Sequence, residues 1–187
     1  MNDIPSELIE QASRGDLAAF EEIYRQTSPY VYSIALRVLA NNEEAEDVTQ
    51  EVFIRVHGNL KGFGFRSAFK TWLYRITMNA SLNAIKRRAR HVEGRVEYDG
   101  AADTLTARAT KPETPRALID EEEVARLLAP LSPEHRACLV LREIEGLSYE
   151  EMADALHINI NTVRSRLKRA REALLEKSGR EVTHDDL

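Results

Sequence analysis

Apolar residues recur along this chain at the three-and-four spacing of helices in almost every segment long enough to carry a period. Ser6 is expected to cap a short helix through Arg14, and Gly15-Asp16 interrupts it so that Asp16 caps the next. Leu17, Phe20, Ile23, Tyr24, Val31, Ile34, Ala35, Val38 and Leu39 then follow at helical spacing, in a helix expected to bend or break near Pro29. Asn41-Asn42 reads as a turn. A third helix from about Glu43 to Val56 carries Ala45, Val48, Val52, Phe53 and Val56 as its apolar stripe and ends at His57-Gly58-Asn59. After the loop Lys61–Ser67, a fourth helix from Ala68 to about Arg90 sets Phe69, Trp72, Leu73, Ile76 and Ala80 on one side. Sustained alternation of the strand type and Asn-Gly hairpins are both absent, so the class is all-α.

From His91 to Thr114 the period fades into Gly, Thr, Ala, Pro and scattered charge, the composition of a tether. Thr114-Pro115 reads as a helix start with Pro at the first helical position, and Leu118, Ile119, Val124, Leu127 and Leu128 carry that helix to Pro130. Ser132-Pro133 repeats the device for a helix holding Cys138, Leu139, Val140, Leu141 and Ile144, stopped at Gly146. The expected organisation is two small helical domains, 1–92 and 114–178, joined by a flexible linker at 93–113 and followed by an acidic tail at 179–187.

Leu147–Arg171, LSYEEMADALHININTVRSRLKRAR, holds the most information. Ser148 and Glu151 form a capping box for a short helix ending near Leu156. His157-Ile158-Asn159 then makes a tight turn, and Asn159 or Asn161 caps the helix that follows. Ala153, His157 and Val163 fall where a helix-turn-helix needs a small packing residue, a turn residue and a buried residue. Met152, Leu156, Ile158, Val163 and Leu167 are the expected core between the two helices. The second helix presents Thr162, Arg164, Ser165, Lys168 and Arg169 outward, the layout of a recognition helix for the major groove. A solvated basic hairpin is the plainer reading, and the box, the turn and the Ala and Val placements weigh against it. His stands where Gly is usual at the turn, and it is among the residues for which a left-handed backbone costs less.

Composition narrows the class. Of 187 residues, 43% are hydrophobic and 30% charged, the balance of a folded chain, and no apolar run approaches the roughly 20 residues a membrane helix needs. The N-terminus is acidic and lacks a signal-peptide layout, and the lone Cys138 excludes an internal disulfide and every paired-cysteine motif. A cytoplasmic protein is expected, without membrane insertion. The formal charge of −5 hides a strong asymmetry. Residues 61–95 hold 9 basic residues against 1 acidic, and residues 162–177 hold 6 against 2, in an otherwise acidic chain. Two separated basic blocks point to polyanion contact at two places.

In the first block, Phe63, Phe65, Phe69, Trp72 and Tyr74 lie among Lys61, Arg66, Lys70 and Arg75. Aromatics interleaved with cations suit single-stranded DNA, because rings stack on unpaired bases while cations track phosphates. Helical spacing assigns Phe69, Trp72 and Leu73 to the core. Phe63 and Phe65, in a Gly-flanked loop, are expected to touch a base or wall its pocket. Lys86, Arg87, Arg88 and Arg90 crowd four cations into five positions, a repulsion that an anion must meet, and duplex phosphate is the expected anion. On the third helix, Glu46, Asp47, Gln50 and Glu51 face away from the apolar stripe; a solvated face and a docking surface for a charged protein fit them equally.

EEAEDVTQEVFIRVHGNL (43–60) followed by RSAFKTWLYRITMNASLNAIKRR (66–88) resembles region two of bacterial sigma factors, above all the compact extracytoplasmic-function (group IV) class. The helix-turn-helix resembles region four, and the likeness covers about 16–90 and 116–175 in the right order. It implies an alternative sigma factor that binds RNA polymerase core and reads the −35 promoter element as duplex and the −10 element as melted strand. By resemblance, Glu46, Asp47, Gln50, Glu51 and Phe53 dock on the β′ clamp helices, and region four meets the β flap. The −35 element falls to Thr162, Arg164, Ser165, Lys168 and Arg169. The −10 strand falls to Phe63, Phe65, Arg66, Lys70, Arg75, Lys86, Arg87 and Arg88, with Asn79 facing the flipped base. An anti-sigma factor is the implied regulator, and neither cofactor nor metal is implied. Phe63-Gly64-Phe65-Arg66-Ser67 departs from the family's usual Phe-Arg-Gly-acid-Ser, so the −10 preference does not transfer. The stretch from His91 to Pro115, about 25 residues, reaches roughly 80 Å extended, enough to span two elements roughly 50 Å apart.

Other classes explain less. The acidic residues of the third helix have no His spaced with them for metal ligation, and no HExxH, phosphate loop or GxSxG occurs, so no enzyme is expected. An autonomous helix-turn-helix regulator accounts for 147–171 but leaves the aromatic and cationic stretch 61–90 without a purpose. A scaffold or anti-sigma protein needs no recognition helix.

Overall fold

In the computed structural model, which describes residues 3–96 and 116–178, every regular element is helical. Helix α1 (Ser6–Ser13) follows Pro5, and Ser6 lies inside it without a side-chain cap, contrary to expectation. Pro5 already has a helix-compatible φ of −57°. Gly15 reverses the chain at φ +99°, and Asp16 Oδ1 accepts the Ala18 and Ala19 amides at 2.9 and 3.1 Å, which starts α2 (Leu17–Leu39). The helix runs through Pro29 without a break, held by the buried Ile23, Thr27 and Val31 on either side. Asn41 Oδ1 accepts the Glu44 amide at 2.9 Å at the head of α3 (Asn42–Asn59), which tapers into a 3-10 turn at Leu60–Gly62. Helix α4 (Phe69–Val96) outlasts the expected end at Arg90 and takes in part of the expected linker. Gly94 alone does not stop it, since a helical glycine costs only about 1 kcal/mol relative to alanine. The remainder of the linker, with Thr114-Pro115, and the acidic tail lie outside the described residues.

Helix α5 (Arg116–Leu128) leads to Ser132, whose hydroxyl accepts the His135 amide at 3.4 Å and starts α6 (Pro133–Leu139). The chain continues as a π turn, Val140–Ile144, and leaves it through Gly146 at φ +70°. Helices α7 (Tyr149–Leu156) and α8 (Ile160–Ser178) follow. None of the described helices is long and apolar enough to cross a membrane.

Two hydrophobic clusters organise these helices. The first joins α1 to α4 through Ile9, Ile23, Val31, Leu39, Val48, Val52 and Leu73. The second unites α6, α7 and α8 around Leu141, Met152, Val163 and Leu167, and it also takes in Ile34, Val38, Tyr74 and Met78 from α2 and α4. Those four are at most 2% exposed, so α2 is apolar on two faces and the C-terminal helices sit directly on the N-terminal ones. Burying such side chains is worth about 1.5–3 kcal/mol each, less for partial transfers, enough to keep the two halves together. Cys138 is wholly enclosed in this second cluster, as a core residue is, and burial pushes its thiol up to about 11.

Candidate nucleic-acid and protein interfaces

The helix-turn-helix is built from local chemistry. Ser148 Oγ accepts the Glu151 amide at 3.2 Å while Glu151 Oε2 accepts the Ser148 amide at 2.8 Å, closing the capping box. The Ser148 amide donating to the carboxylate, and after it the Ser148 hydroxyl, hold the Glu151 carboxyl below its ordinary range. His157 ends α7 at φ 54°, and Asn159 Oδ1 accepts the Asn161 amide at 2.8 Å to start α8. Of the two asparagines, Asn159 is therefore the cap. Met152, Val163 and Leu167 are fully buried between the two helices, with Leu156 nearly so and Ile158 packed against them. Replacing His157 by Gly is expected to raise stability by roughly 0.5–1 kcal/mol, since relief of the left-handed strain outweighs glycine's added chain entropy. A denaturant titration measures it, and a loss of stability would show that the His157 side chain contributes more than its backbone costs.

Outside this core, Arg164, Ser165, Lys168 and Arg169 are exposed and Thr162 is half-buried. Arg164 donates to Asn161 Oδ1 at 3.2 Å, which tethers its guanidinium near the start of α8, and Ser165 donates to the Thr162 carbonyl at 3.0 Å. Lys168 pairs only loosely with Glu172, at 3.9 Å. Behind them, burial and then the charges of Arg166 and Arg169 push the pKa of His135 down, a sign of the positive field on this side.

Helix α3 presents Glu46, Asp47 and Gln50 to solvent on one face. Phe53, expected on that docking surface, is 5% exposed and packs edge-on against Tyr24 at 4.7 Å, because it belongs to the stripe that joins α2. The apolar residue on the outer face is its neighbour Ile54, 73% exposed. Glu51 is engaged by Arg55 and, at 3.0 Å, by Arg87 of α4. Arg88 likewise pairs with Glu44 at 3.0 Å. The anions that meet Arg87 and Arg88 in this structure are thus carboxylates of α3, while Lys86 remains exposed.

The loop before α4 separates its two phenylalanines. Phe63 is 8% exposed and lies 5.0–5.6 Å from the rings of Phe65, Phe69 and Trp72. It is core, and it forms a floor instead of a stacking face. Phe65 is 47% exposed, lifted over that floor by a backbone φ of 52°, with Arg66 exposed beside it. Asn79 is half-buried on α4.

Lys70 and Arg75 meet the second domain. Glu145, whose side chain is only 5% exposed, receives the Tyr30 hydroxyl at 2.9 Å and lies 3.5 Å from Lys70 Nζ and 4.0 Å from Arg37. Lys70 also sits over the Tyr30 and Tyr74 rings, 5.3 and 5.7 Å from their centroids. Burial and the adjoining carboxylate raise the Tyr30 phenol far above its ordinary value, so it serves as a donor. Arg37 forms a second ion pair with Glu121 of α5 at 2.7 Å, and Arg75 faces Asp154 of α7 at 3.5 Å. Among the described residues, no group of three or more His, Cys, Asp or Glu is arranged to hold a metal ion.

Two family profiles match this chain, Sigma-70 region 2 over residues 23–91 and Sigma-70, region 4 over residues 121–174. RNA polymerase sigma-H factor of Pseudomonas aeruginosa is 37% identical over 178 residues, which cover 90% of this chain and 90% of that protein. The chain belongs to the ECF family of RNA polymerase sigma factors. ECF RNA polymerase sigma factor SigE of Mycolicibacterium smegmatis is a longer relative, 36% identical over 167 residues; the match covers 86% of this chain and 63% of SigE. Among solved structures, the sigma factor RpoE of Bartonella quintana, in complex with the anti-sigma factor NepR, has a TM-score of 0.66 at 25% identity. The match covers 86% of this chain and 96% of RpoE.

In this sigma factor the region-two and region-four profiles fall on α2–α4 and α5–α8, and the four residues of the second core that come from α2 and α4 all lie inside the region-two match. Ile54 is the surface residue that sequence reasoning passed over. Its signal was present: it follows Glu46, Asp47 and Gln50 at steps of one, three and four, so a helix must put it on their face.

Proposed function

We propose that this sigma factor recruits core RNA polymerase to promoters and does no bond chemistry itself. Helix α3 docks on the β′ clamp helices through Glu46, Asp47, Gln50 and Ile54, with Glu51 at its edge, and region four docks on the β flap. Thr162, Arg164, Ser165, Lys168 and Arg169 read the −35 element as duplex. Phe65, Arg66, Lys70, Arg75 and Asn79 hold the −10 element as single strand over the Phe63 floor, with Lys86, Arg87 and Arg88 along the adjoining duplex. The observation that carries this reading is the pair of unlike surfaces on one chain. An exposed cationic recognition helix suits paired DNA, and an exposed phenylalanine beside cations suits unpaired bases. Its workplace is the cytoplasm, where polymerase and DNA are. An anti-sigma protein is the regulator we assign to it, in keeping with the complex of its solved relative RpoE with NepR.

The test uses holoenzyme reconstituted from core polymerase and the full chain. A template forked at −10 is expected to bind at least tenfold more tightly than the same sequence as intact duplex, because flipping and unpairing, a few kcal/mol, are already met. Equal affinity for the two templates would overturn the reading. Tight duplex binding without core, and no strand opening with it, would make the chain an autonomous regulator instead.

A further inference from the structure

Region four holds more arginines than its fold employs. Arg136 donates to the Ala129 carbonyl at 3.2 Å, Arg142 to the Leu147 carbonyl at 2.8 Å and Arg171 to Glu143 at 2.7 Å, so each ties one stretch of chain to another. Arg166 and Arg169 do not. Among the described residues, neither forms an ion pair with a carboxylate. Three residues apart on α8, they share the side of that helix turned to α6, where His135 and Cys138 likewise stand three apart. Arg166 is half-buried beside the Cys138 thiol and the His135 imidazole, and Arg169 is exposed at the edge of the recognition face. Two guanidinium groups and a half-buried imidazole thus meet at the α6–α8 seam, with Glu134 as the acidic neighbour on His135's own helix. The charges of α3 and α4 on this side, Glu44 and Arg88, act instead on the next residue, Arg136. Those of α2 and the π turn are engaged elsewhere, Arg37 with Glu121 and Glu143 with Arg171. Burial, then Arg166, then Arg169 lower the pKa of His135 and favour its neutral form in the free protein. The seam lacks an anion, and the backbone that flanks a major groove filled by α8 supplies one.

We infer that His135, Arg166 and Arg169 form a backbone-phosphate site beside the recognition helix, and that His135 takes up a proton when −35 duplex occupies it. This rests on the reading that α8 enters the −35 major groove. The site carries no sequence information; it fixes how α8 sits in the groove and strengthens its grip as pH falls. Phosphate favours the charged imidazole, so the pKa of His135 is higher in the complex than in the free protein. Below the lower of these two values His135 is charged with or without DNA, and above the higher it is neutral in both. Between them each rise of one pH unit weakens binding by up to about tenfold, the limit for one proton.

Holoenzyme carrying the full chain is titrated at fixed salt with a promoter fragment, and with the same fragment scrambled at −35, at steps between about pH 5 and 8. Wild type is compared with His135→Gln and His135→Lys, so the pH responses of polymerase and of the exposed His157, common to all three, cancel. Relative to His135→Gln, wild type is expected to bind about tenfold more tightly at the acid end, the effect of a pKa raised by about one on binding, and equally at the alkaline end. His135→Lys is expected to keep the acid-end affinity throughout. The slope of log affinity against log salt for wild type should be steeper by about 1 at the acid end than at the alkaline end. Coincident profiles for wild type and His135→Gln overturn the proposal. So does a glutamine variant weakened by one factor at every pH, which marks His135 as part of the fold alone. If far-ultraviolet dichroism shows that His135→Gln has lost helices, His135→Lys decides: it must bind about tenfold more tightly than wild type at the alkaline end, and equality there overturns the proposal. Loss of preference for −35 over the scrambled fragment at every pH removes the −35 reading itself. Preference retained with coincident profiles removes the phosphate site alone.

Discussion

Replacing Leu167 by Ala is expected to cost about 2–5 kcal/mol of stability, the range for truncating a fully enclosed leucine. The residue has no exposed surface, and it lies in the second cluster, where α8 meets α6 and α7. Its neighbours on the outside of the same helix are Lys168 and Arg169, so one turn of α8 carries both the anchor and part of the DNA surface. Removing the anchor leaves a cavity under that turn, and the recognition helix loses the rigid seat that fixes its angle to the turn at His157. The urea midpoint should fall with little change in slope, since the surface exposed on unfolding is nearly the same. Affinity for −35 duplex should fall with it, and should recover at lower temperature or with stabilising osmolyte if the defect is folding alone. A midpoint shift worth less than about 0.5 kcal/mol, the size of an ordinary surface substitution, would mean that Leu167 is not an anchor.

What the sequence disclosed follows from the range of each interaction. The capping box of Ser148 and Glu151, the Ser132 cap and the Asp16 cap are settled within three residues, and a reader of the chain has all the atoms needed. His157 was legible for the same reason: a turn of fixed length between two periodic helices demands one left-handed residue. Phe63 and Phe65 were not separable, because two loop aromatics two residues apart have no period to say which is folded under. The backbone turns left-handed at Phe65, where the two rings part, Phe63 buried and Phe65 exposed. Phe53 and Ile54 fail differently. A family likeness marks the motif, but the helical stripe already assigned Phe53 to the core, and the stripe was the better guide.

Long-range pairing lay beyond the reach of spacing. Nothing in the order of residues says that Arg87 will meet Glu51 or that Arg88 will meet Glu44, although the crowding of those cations did call for an anion. The second apolar face of α2 left a trace that a single-stripe reading discards. From Val31 to Leu39 the buried residues include Val31, Ala35 and Leu39 on the side of α3, and Ile34 and Val38 on the side of region four. A helix apolar nearly all round must be covered on both sides. The tether suggested domains apart; the faces of α2 said that something packs on them, and the C-terminal half is what does.

Arg164→Ala is expected to leave stability unchanged and to lower promoter affinity by about 1–3 kcal/mol, roughly fivefold to 150-fold, through one base pair of the −35 element. Three features favour a base edge over a phosphate for this residue. It stands early in α8, where a recognition helix enters the major groove most deeply. Its guanidinium is steadied by Asn161 Oδ1 at 3.2 Å, which limits the entropy lost on reading a guanine through O6 and N7. And among the described residues no carboxylate pairs with it, whereas Lys168 has Glu172 within 3.9 Å. The decisive measurement is a matrix at constant salt: wild-type and Arg164→Ala holoenzyme against promoter fragments substituted singly at each −35 position. If Arg164 reads a base, the variant no longer discriminates at one position and keeps wild-type discrimination at the others. If it holds a phosphate, affinity falls by the same factor on every fragment and the slope of log affinity against log salt drops by about 1, the behaviour expected here for Lys168→Ala and Arg169→Ala. The two patterns are mutually exclusive, and the second would move Arg164 from the residues that choose the promoter to those that only hold it.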